Sequence, residues 1–559
     1  MSNLKIYEGV AMAFAAEGVD THFGLMGDGN MHWMTAMSHL DGMTTFSVRH
    51  EHCAVLMAMG YHSMTGKVGV ASVTHGPGFT QTMTALMTGS RNNIPLVIFA
   101  GEAPLGAAWY LQAMDQAPLA TACGAHYIAA HSPQRIHQYI REAFFIAQSE
   151  RKPVVLGMPL DLQKLPMPNV GEYQPSASLL PQVARMPPDL AQVDAVVAKL
   201  VAAKCPVIVA GRGVMLSDAR AEVEALAEAT GAMLGTSLLA KGMYDHHPHS
   251  LGIVGGYARY VAREVGQQTD LVIAFGAKLG RFTTDGGKMF PKAEIVQVDI
   301  NPTGFHEALD VADLYLRADA KLTAAAMLEK LKGHGKTAAN IRSPALSKRL
   351  KEEPADITPY PEGDGLDPRR VFEELERVIP TDYEFVSGSA HQAYWHTAMR
   401  YAAPENYHAI RAFGAVGNAL SFAIGVATAA KNAGKNGRVA LFEGDGGLIM
   451  HIQELESLKR QGVKLLIVCV NDGAFGAEIH KLRVEGIDDS GAVFGRPAFE
   501  QMAKAFGLRG VTITDVGQLK AAMAAYEKSD CAEIWDVHVS DEVMAPPMRD
   551  EVAALRKAK

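Results

Sequence analysis

The sequence predicts an α/β protein made of three doubly wound parallel-sheet domains. Apolar runs of strand length alternate with helix-period stretches along the whole chain, and two polar, proline-bearing stretches over 164–188 and 333–367 interrupt that alternation. The first and third segments also end several strands in glycine-rich loops, which points to a duplicated architecture without any short-period repeat. The expected domains are 1–165, 188–332 and 366–559. Charged residues are 20% and hydrophobic ones 48%, and a net charge of -8 gives no electrostatic reason to expect nucleic acid as a partner. Five scattered cysteines (Cys53, Cys123, Cys205, Cys469, Cys531) show no CxxC and no pairing pattern, so no disulfides and a reducing, cytoplasmic setting are expected. No basic-then-apolar leader and no uninterrupted apolar run of membrane-spanning length is present, so no membrane partner is expected.

In the first domain, helical periodicity over 6–17 leads into a strand at 22–25 and the turn Met26-Gly27-Asp28-Gly29-Asn30. A helix to about 40 and a strand at 44–48 follow, and Arg49-His50-Glu51-His52 opens an Ala/Met-rich helix to about 65. Glu51 thereby sits at a helix N-terminus, where the dipole favours a carboxylate; a plain first-turn acid is the alternative reading. The strand 68–73 runs into Thr74-His75-Gly76-Pro77-Gly78, and strands at 95–100 and 153–156 complete the domain. The second domain is marked by strands at 206–210, 271–275 and 294–299 and by the run Met233-Leu234-Gly235-Thr236-Ser237.

The third domain begins with a helix at 368–378 and a strand at 384–387, followed by Gly388-Ser389-Ala390-His391 and by Phe413-Gly414-Ala415-Val416-Gly417 entering an Ala-rich helix. Its centre is a βαβ unit: a strand at 438–442, the loop Glu443-Gly444-Asp445-Gly446-Gly447, a helix at 452–461, and a buried strand at 463–470 ending in Asn471-Asp472-Gly473. Two parallel strands that end in acidic and amide oxygens, with glycines admitting a ligand to the backbone, suit a hard cation bound to a diphosphate. Neither a Walker-type lysine nor GxGxxG accompanies them.

Gly444-Asp445-Gly446, one βαβ unit before an Asn/Asp pair, resembles the signature of thiamine diphosphate enzymes. With Arg49-His50-Glu51, Gly76-Pro77-Gly78, Thr236-Ser237 and Val298-Asp299-Ile300-Asn301-Pro302, the whole chain resembles the acetolactate synthase and 2-oxo acid decarboxylase superfamily. That resemblance implies a first domain binding the aminopyrimidine of thiamine diphosphate, a third binding its diphosphate through Mg²⁺, and a homodimer or dimer of dimers with sites between subunits. It places on Glu51 the hydrogen bond to the pyrimidine that makes the cofactor's C2 acidic. It places on Val416 the apolar wedge beneath the bent cofactor, on Gly414 a backbone acceptor, and on Ser389 and His391 the far phosphate. Gly446 and Gly447 would offer backbone N–H groups to phosphate. The implied metal ligands are Asp445, Asp472 and the carbonyl of Ala474, with Asn471 the runner-up for the second.

The reaction is less constrained. Lys241-Gly242, His247-Pro248 and Leu251-Gly252 resemble the central domain of acetolactate synthases, which makes FAD possible. The glutamine that those enzymes carry after the first-domain glutamate is His52 here, and the tryptophan expected past the metal loop is Lys481. Asp28 and Glu478 fall where decarboxylases of this superfamily keep proton-transfer acids, and His75 lies in a loop able to supply a proton or bind carboxylate; a turn cap for Asp28 and a solvent-facing position for Glu478 are the bland alternatives. His32 and His52 are weaker candidates. The expected activity is decarboxylation of a small 2-oxo acid, releasing aldehyde or passing the acyl anion to an acceptor. The alternatives are a lyase cleaving an acyloin or diketone without decarboxylation, and a non-catalytic binding or regulatory homologue.

Overall fold

A computed structural model describes residues 4–179, 184–301, 311–335, 337–389, 391–400 and 403–558. Pro302 and Ala390 of the motifs above lie outside the described residues. The chain forms three six-stranded sheets. In the first, β1 (Thr21–Gly24), β2 (Thr44–Ser47), β3 (Gly69–Val73), β4 (Leu96–Glu102), β5 (His126–Ala129) and β6 (Pro153–Pro159) take the order β2-β1-β3-β4-β6-β5. The second contains β7 (Pro206–Ala210), β8 (Met233–Thr236), β9 (Ser250–Ile253), β10 (Leu271–Phe275), β11 (Glu294–Val298) and β12 (Leu314–Leu316), ordered β12-β11-β10-β7-β8-β9. The third, from β13 (Glu384–Ser387), β14 (Tyr407–Ala409), β15 (Val439–Gly444), β16 (Leu466–Asn471), β17 (Arg509–Ile513) and β18 (Glu533–His538), has the order β14-β13-β15-β16-β18-β17. Every strand pair is parallel, as crossover helices on both faces require.

The first and third sheets share one topology, while the middle sheet is wound differently. In a doubly wound sheet, ligands sit outside the carboxyl ends of strands where the winding reverses. For the first sheet that point lies between β1 and β3, whose loops carry Asp28 and His75. For the third it lies between β13 and β15, whose loops carry Ser389, His391 and Asp445. The central strands are apolar until their carboxyl ends, where β4 closes on Glu102 and β16 on Asn471, because both faces are covered.

Helix Glu51–Thr65 packs on helix Ala419–Asn432, joining the first and third sheets in one apolar core. Their composition makes this possible: a β-carbon at Gly60 would lie 2.0 Å from the carbonyl oxygen of Phe422, and one at Gly425 would lie 2.0 Å from that of Met57. The two backbones touch, and only glycine fits at the crossing.

The stretch 333–367, read from sequence as a linker, contains the helix Pro344–Glu352. Ser343 caps it by accepting from the Leu346 N–H, and proline occupies its first turn, a start signal embedded in a charged context. The other polar stretch is pinned to the first domain: the Ser176 backbone N–H and hydroxyl both donate to Glu17. No helix among the described residues is long and apolar enough to cross a membrane.

Candidate active site

The acidic loops of the third domain converge. Asp445 opens the short helix Asp445–Ile449 at the end of β15 and is 2% exposed; Asp472 follows β16 and is 7% exposed. The Gly473 N–H donates to Asp445 Oδ2 at 2.7 Å, which ties the two loops together, and the Gly446 N–H donates to Oδ1 at 2.8 Å. Asp472 accepts from the Ala474 N–H through Oδ1 and from Gln392 Nε2 through Oδ2, the latter at 2.6 Å. Neither carboxylate has a Lys, Arg or His ion pair among the described residues. Burial, together with the field of Asp472, raises the proton affinity of Asp445, and burial raises that of Asp472. A buried, uncompensated acidic pair is a receptor for a cation, and an all-oxygen donor set selects a hard one.

No group of three or more His, Cys, Asp or Glu side chains among the described residues is placed to hold a metal. The donor set is therefore two carboxylates and backbone, which fits Mg²⁺, a cation that takes one or two carboxylates and leaves positions for phosphate and water. Asn471 is turned the other way: its Nδ2 donates to Asp536 Oδ1 at 2.8 Å and to the Pro497 carbonyl. Adjacent residues at a strand end point to opposite faces, so Asp472 and not Asn471 faces Asp445. Ala474 is buried, and its backbone bridges to Val493.

His391 lies beside this pair. Its Nε2 accepts from the Ala545 N–H at 2.9 Å, and burial holds the imidazole well below its ordinary pKa. A neutral ring that accepts at Nε2 carries its proton on Nδ1. That Nδ1 is buried without a partner among the described residues, and a β-carbon at Gly476 would meet both it and Asp472 Oδ2 at 2.7 Å. The arrangement presents a hydrogen-bond donor next to an acidic pair, which is the chemistry of a bridged metal and phosphate oxygen. Ser389 is partly buried two residues earlier, and Gly446 and Gly447 are buried in the first turn of helix Asp445–Ile449.

Gln392 and Arg411 escaped the sequence reading. Arg411 Nε donates to the carbonyl of Gly388 at 2.9 Å while its guanidinium lies over the Tyr394 ring, so it holds the loop that leads to His391. Neither residue belongs to a motif; only adjacency to His391 marks Gln392. Gly414 has φ +74° and is exposed, and Val416 is 40% exposed, so this chain alone leaves the loop uncovered.

In the first domain, Glu51 occupies the first turn of helix Glu51–Thr65, capped by His50. Its carboxylate is partly buried against the Thr74–Gly78 turn, with Oε1 3.2 Å from where a β-carbon of Gly78 would sit, and it makes no hydrogen bond or ion pair among the described residues. His75 is 1% exposed, with neither ring nitrogen partnered among the described residues, and lies 5.1 Å from the Tyr110 ring. Burial lowers its pKa and exposed Asp28 partly offsets this, so the structure brings Asp28 and His75 together. Glu478 is exposed on the first turn of helix Gly476–Glu485 and has no side-chain partner among the described residues. His52 is committed to Asn418 Oδ1 at 2.8 Å and stacks on His451 at 5.0 Å. Lys481 pairs with Glu551.

Three family models match the chain in order. They are the thiamine pyrophosphate enzyme N-terminal TPP binding domain over residues 4–119, the central domain over 193–327, and the C-terminal TPP binding domain over 388–533. The chain is 25% identical to the acetolactate synthase large subunit of Haemophilus influenzae, over 100% of this chain and 98% of that protein. It is 27% identical to the acetolactate synthase isozyme 2 large subunit of Escherichia coli, over 95% of each, and 28% identical to the acetolactate synthase of Mycobacterium bovis, over 96% of this chain and 90% of that protein.

Proposed function

Because the chain belongs to the thiamine pyrophosphate enzymes, of the acetolactate synthase type, we propose that it decarboxylates a small 2-oxo acid, with Mg²⁺ bound at Asp445 and Asp472. The observation that carries this reading is the buried acidic pair, without a basic partner among the described residues, flanked by a His391 Nδ1–H that is likewise unpartnered among them. Asp445, Asp472 and the Ala474 carbonyl hold the metal, and His391, Ser389 and the N–H groups of Gly446 and Gly447 receive the phosphates. Val416 and Gly414 line the cofactor's bend. When bound, thiamine diphosphate would supply a carbon nucleophile toward the 2-oxo carbon and an electron-poor ring as the sink for the electrons left by CO₂. Glu51 would hold a proton at the pyrimidine nitrogen, and no partner among the described residues competes for its carboxylate. His75, buried and neutral, orients the 2-oxo acid, and Asp28 and Glu478 return a proton to the product carbon.

Release of aldehyde is favoured over a strict acetolactate synthase reaction. His52 stands where acceptor-handling glutamine is expected and is spent on Asn418 and His451, and Lys481 stands for the expected tryptophan. Exposed Phe413, Val416, Met450 and Phe475 surround the loops and support a second subunit closing the site in a homodimer or dimer of dimers. The middle sheet reverses between β7 and β10, the position where a dinucleotide binds, and this supports FAD as a further cofactor. The glycines there are packed on one another, with the Gly213 N–H donating to the Gly276 carbonyl. A flavin absorbance spectrum of the purified protein decides that point.

CO₂ release from a panel of 2-oxo acids, with thiamine diphosphate and Mg²⁺ supplied and then chelated, tests the main reading. Release that disappears with EDTA and returns with Mg²⁺ is expected. Turnover of an acyloin or diketone without CO₂ would assign a lyase instead, and no turnover of any of these would leave a binding homologue. In Glu478→Gln, rapid-quench analysis should show product release slowed more than decarboxylation; equal slowing of both removes Glu478 from protonation.

A further inference from the structure

We propose that Gln116 is a positioning residue for His75: it fixes the peptide plane that joins His75 to Gly76 and so sets where the imidazole points. In the decarboxylase reading above, on which this rests, His75 orients the 2-oxo acid. Gln116 belongs to none of the sequence motifs and stands 40 residues from Gly76.

The side chain is 2% exposed and is held from three sides. Its Oε1 accepts from the Gly76 N–H at 3.1 Å, and its Nε2 donates to the Gly101 carbonyl at 3.0 Å and to the Tyr127 hydroxyl at 3.2 Å. Tyr127 in turn donates its hydroxyl proton to Glu102, and burial, with the Glu102 charge beside it, pushes the phenol's pKa up and keeps that proton in place. A lone pair of Tyr127 is what remains to face Gln116, so the amide has one orientation, with nitrogen toward Gly101 and Tyr127 and oxygen toward Gly76. Reversed, it would set oxygen against the Gly101 carbonyl and NH₂ against the Gly76 N–H. Glu102 also pairs with His131, so the support of Gln116 is anchored on β4 and β5.

What Gln116 holds is backbone next to His75. Gly76 is buried, and a buried N–H requires an acceptor. That N–H lies in one rigid plane with the His75 carbonyl, so the position of its acceptor fixes ψ of His75. Gly76 has φ +61° and ψ −113°, and a β-carbon on it would come within 2.5 Å of the Gln112 carbonyl oxygen. Backbone in so sparsely populated a conformation persists when its surroundings over-determine it. The ring has equally little room: a β-carbon at Gly29 would lie 2.5 Å from His75 Nδ1, and the Gly29 N–H donates to Thr74 Oγ1 at 3.0 Å. A shift of the His75–Gly76 peptide would therefore move the imidazole relative to the turn that carries Asp28.

Gln116→Met keeps the volume and removes the acceptor. In the holoenzyme, saturated with thiamine diphosphate and Mg²⁺, two measurements test the proposal. One is kcat/KM for CO₂ release from the best 2-oxo acid of the panel; the other is the rate at which diethyl pyrocarbonate modifies His75, mapped by mass spectrometry. Gln116→Met should lower kcat/KM about tenfold and raise the modification rate about fivefold, with thiamine diphosphate affinity unchanged within about twofold. In the His75→Ala background the same substitution should change kcat/KM by less than about twofold. Tyr127→Phe removes one of the two anchors of the amide; it should give the same pattern at about threefold, and it carries the test if Gln116→Met does not fold. The proposal is overturned by an unchanged modification rate at His75 in the folded variants, by a rise shared with buried His22 and His408, or by an equal loss of kcat/KM with and without His75. If the wild-type holoenzyme releases no CO₂ from any 2-oxo acid, the decarboxylase reading falls, and the modification rates alone decide whether Gln116 holds His75.

Discussion

Glu51, Asp472 and His391 show how a residue's role rests on what its neighbours leave undone. Glu51 is partly buried in a helix's first turn, yet nothing among the described residues claims its carboxylate. Glu51→Gln keeps the shape and loses the acid, so exchange of the cofactor's C2 proton should fall at least ~100-fold while thiamine diphosphate affinity holds within about threefold. Exchange by NMR and binding by tryptophan fluorescence check both halves, and unchanged exchange would remove Glu51 from the role. Asp472 brings a second charge to the site, which Gln392 partly answers with a 2.6 Å hydrogen bond. Sequence motifs gave the positions of these residues, since each lies at a fixed offset from a strand end. They gave no sign of Gln392 or of the tautomer of His391, because both depend on contacts with Asp472 and Ala545, 80 and 154 residues away.

At the level of elements, the crossing of helices Glu51–Thr65 and Ala419–Asn432 fixes where Glu51 stands relative to the third domain. Arg49 N–H donates to Glu454 Oε1 at 2.9 Å just beyond this crossing. Gly425→Ala would force a β-carbon to 2.0 Å from the Met57 carbonyl oxygen, a backbone atom that cannot yield without moving the helix. The expected cost is about 2 kcal/mol of stability, read as a lowered urea midpoint; an unchanged midpoint would show that the helices slide freely. Long apolar strands such as β4 and β16 were legible from composition. Short or peripheral ones, β5, β9, β12 and β14, were not, since each carries too few residues to show a period. Helix Pro344–Glu352 was hidden for a different reason: its surface is charged, and a solvated helix looks like a linker until its Ser-Pro start is weighed.

The molecule as a whole keeps several histidines buried and neutral. His22 has its pKa lowered to about 3 by burial, and His480 to about 4 by burial and Arg483. Below about pH 6.5 the unfolded chain takes up protons at these residues that the folded chain refuses, so stability is lost as pH falls toward 4. Between about pH 6.5 and pH 5 the two together should remove about 3 kcal/mol. Urea unfolding across that range measures it, and a flat profile would contradict it. His22→Gln should reduce the slope.

The first and third sheets repeat one winding, and the candidate residues Asp28, His75, Ser389, His391 and Asp445 lie where that winding reverses, between β1 and β3 and between β13 and β15. By itself the sequence determined the fold class, the strand-end loops and the residue types they carry, because periodicity and glycine placement are local. Only the tertiary structure decided that Asp472 and not Asn471 faces Asp445, that Gln392 and His391 flank the pair, and that Gln116 reaches the Gly76 N–H beside His75. Those outcomes depend on which side chains converge from distant segments and which are spent on other partners, and no local pattern encodes that.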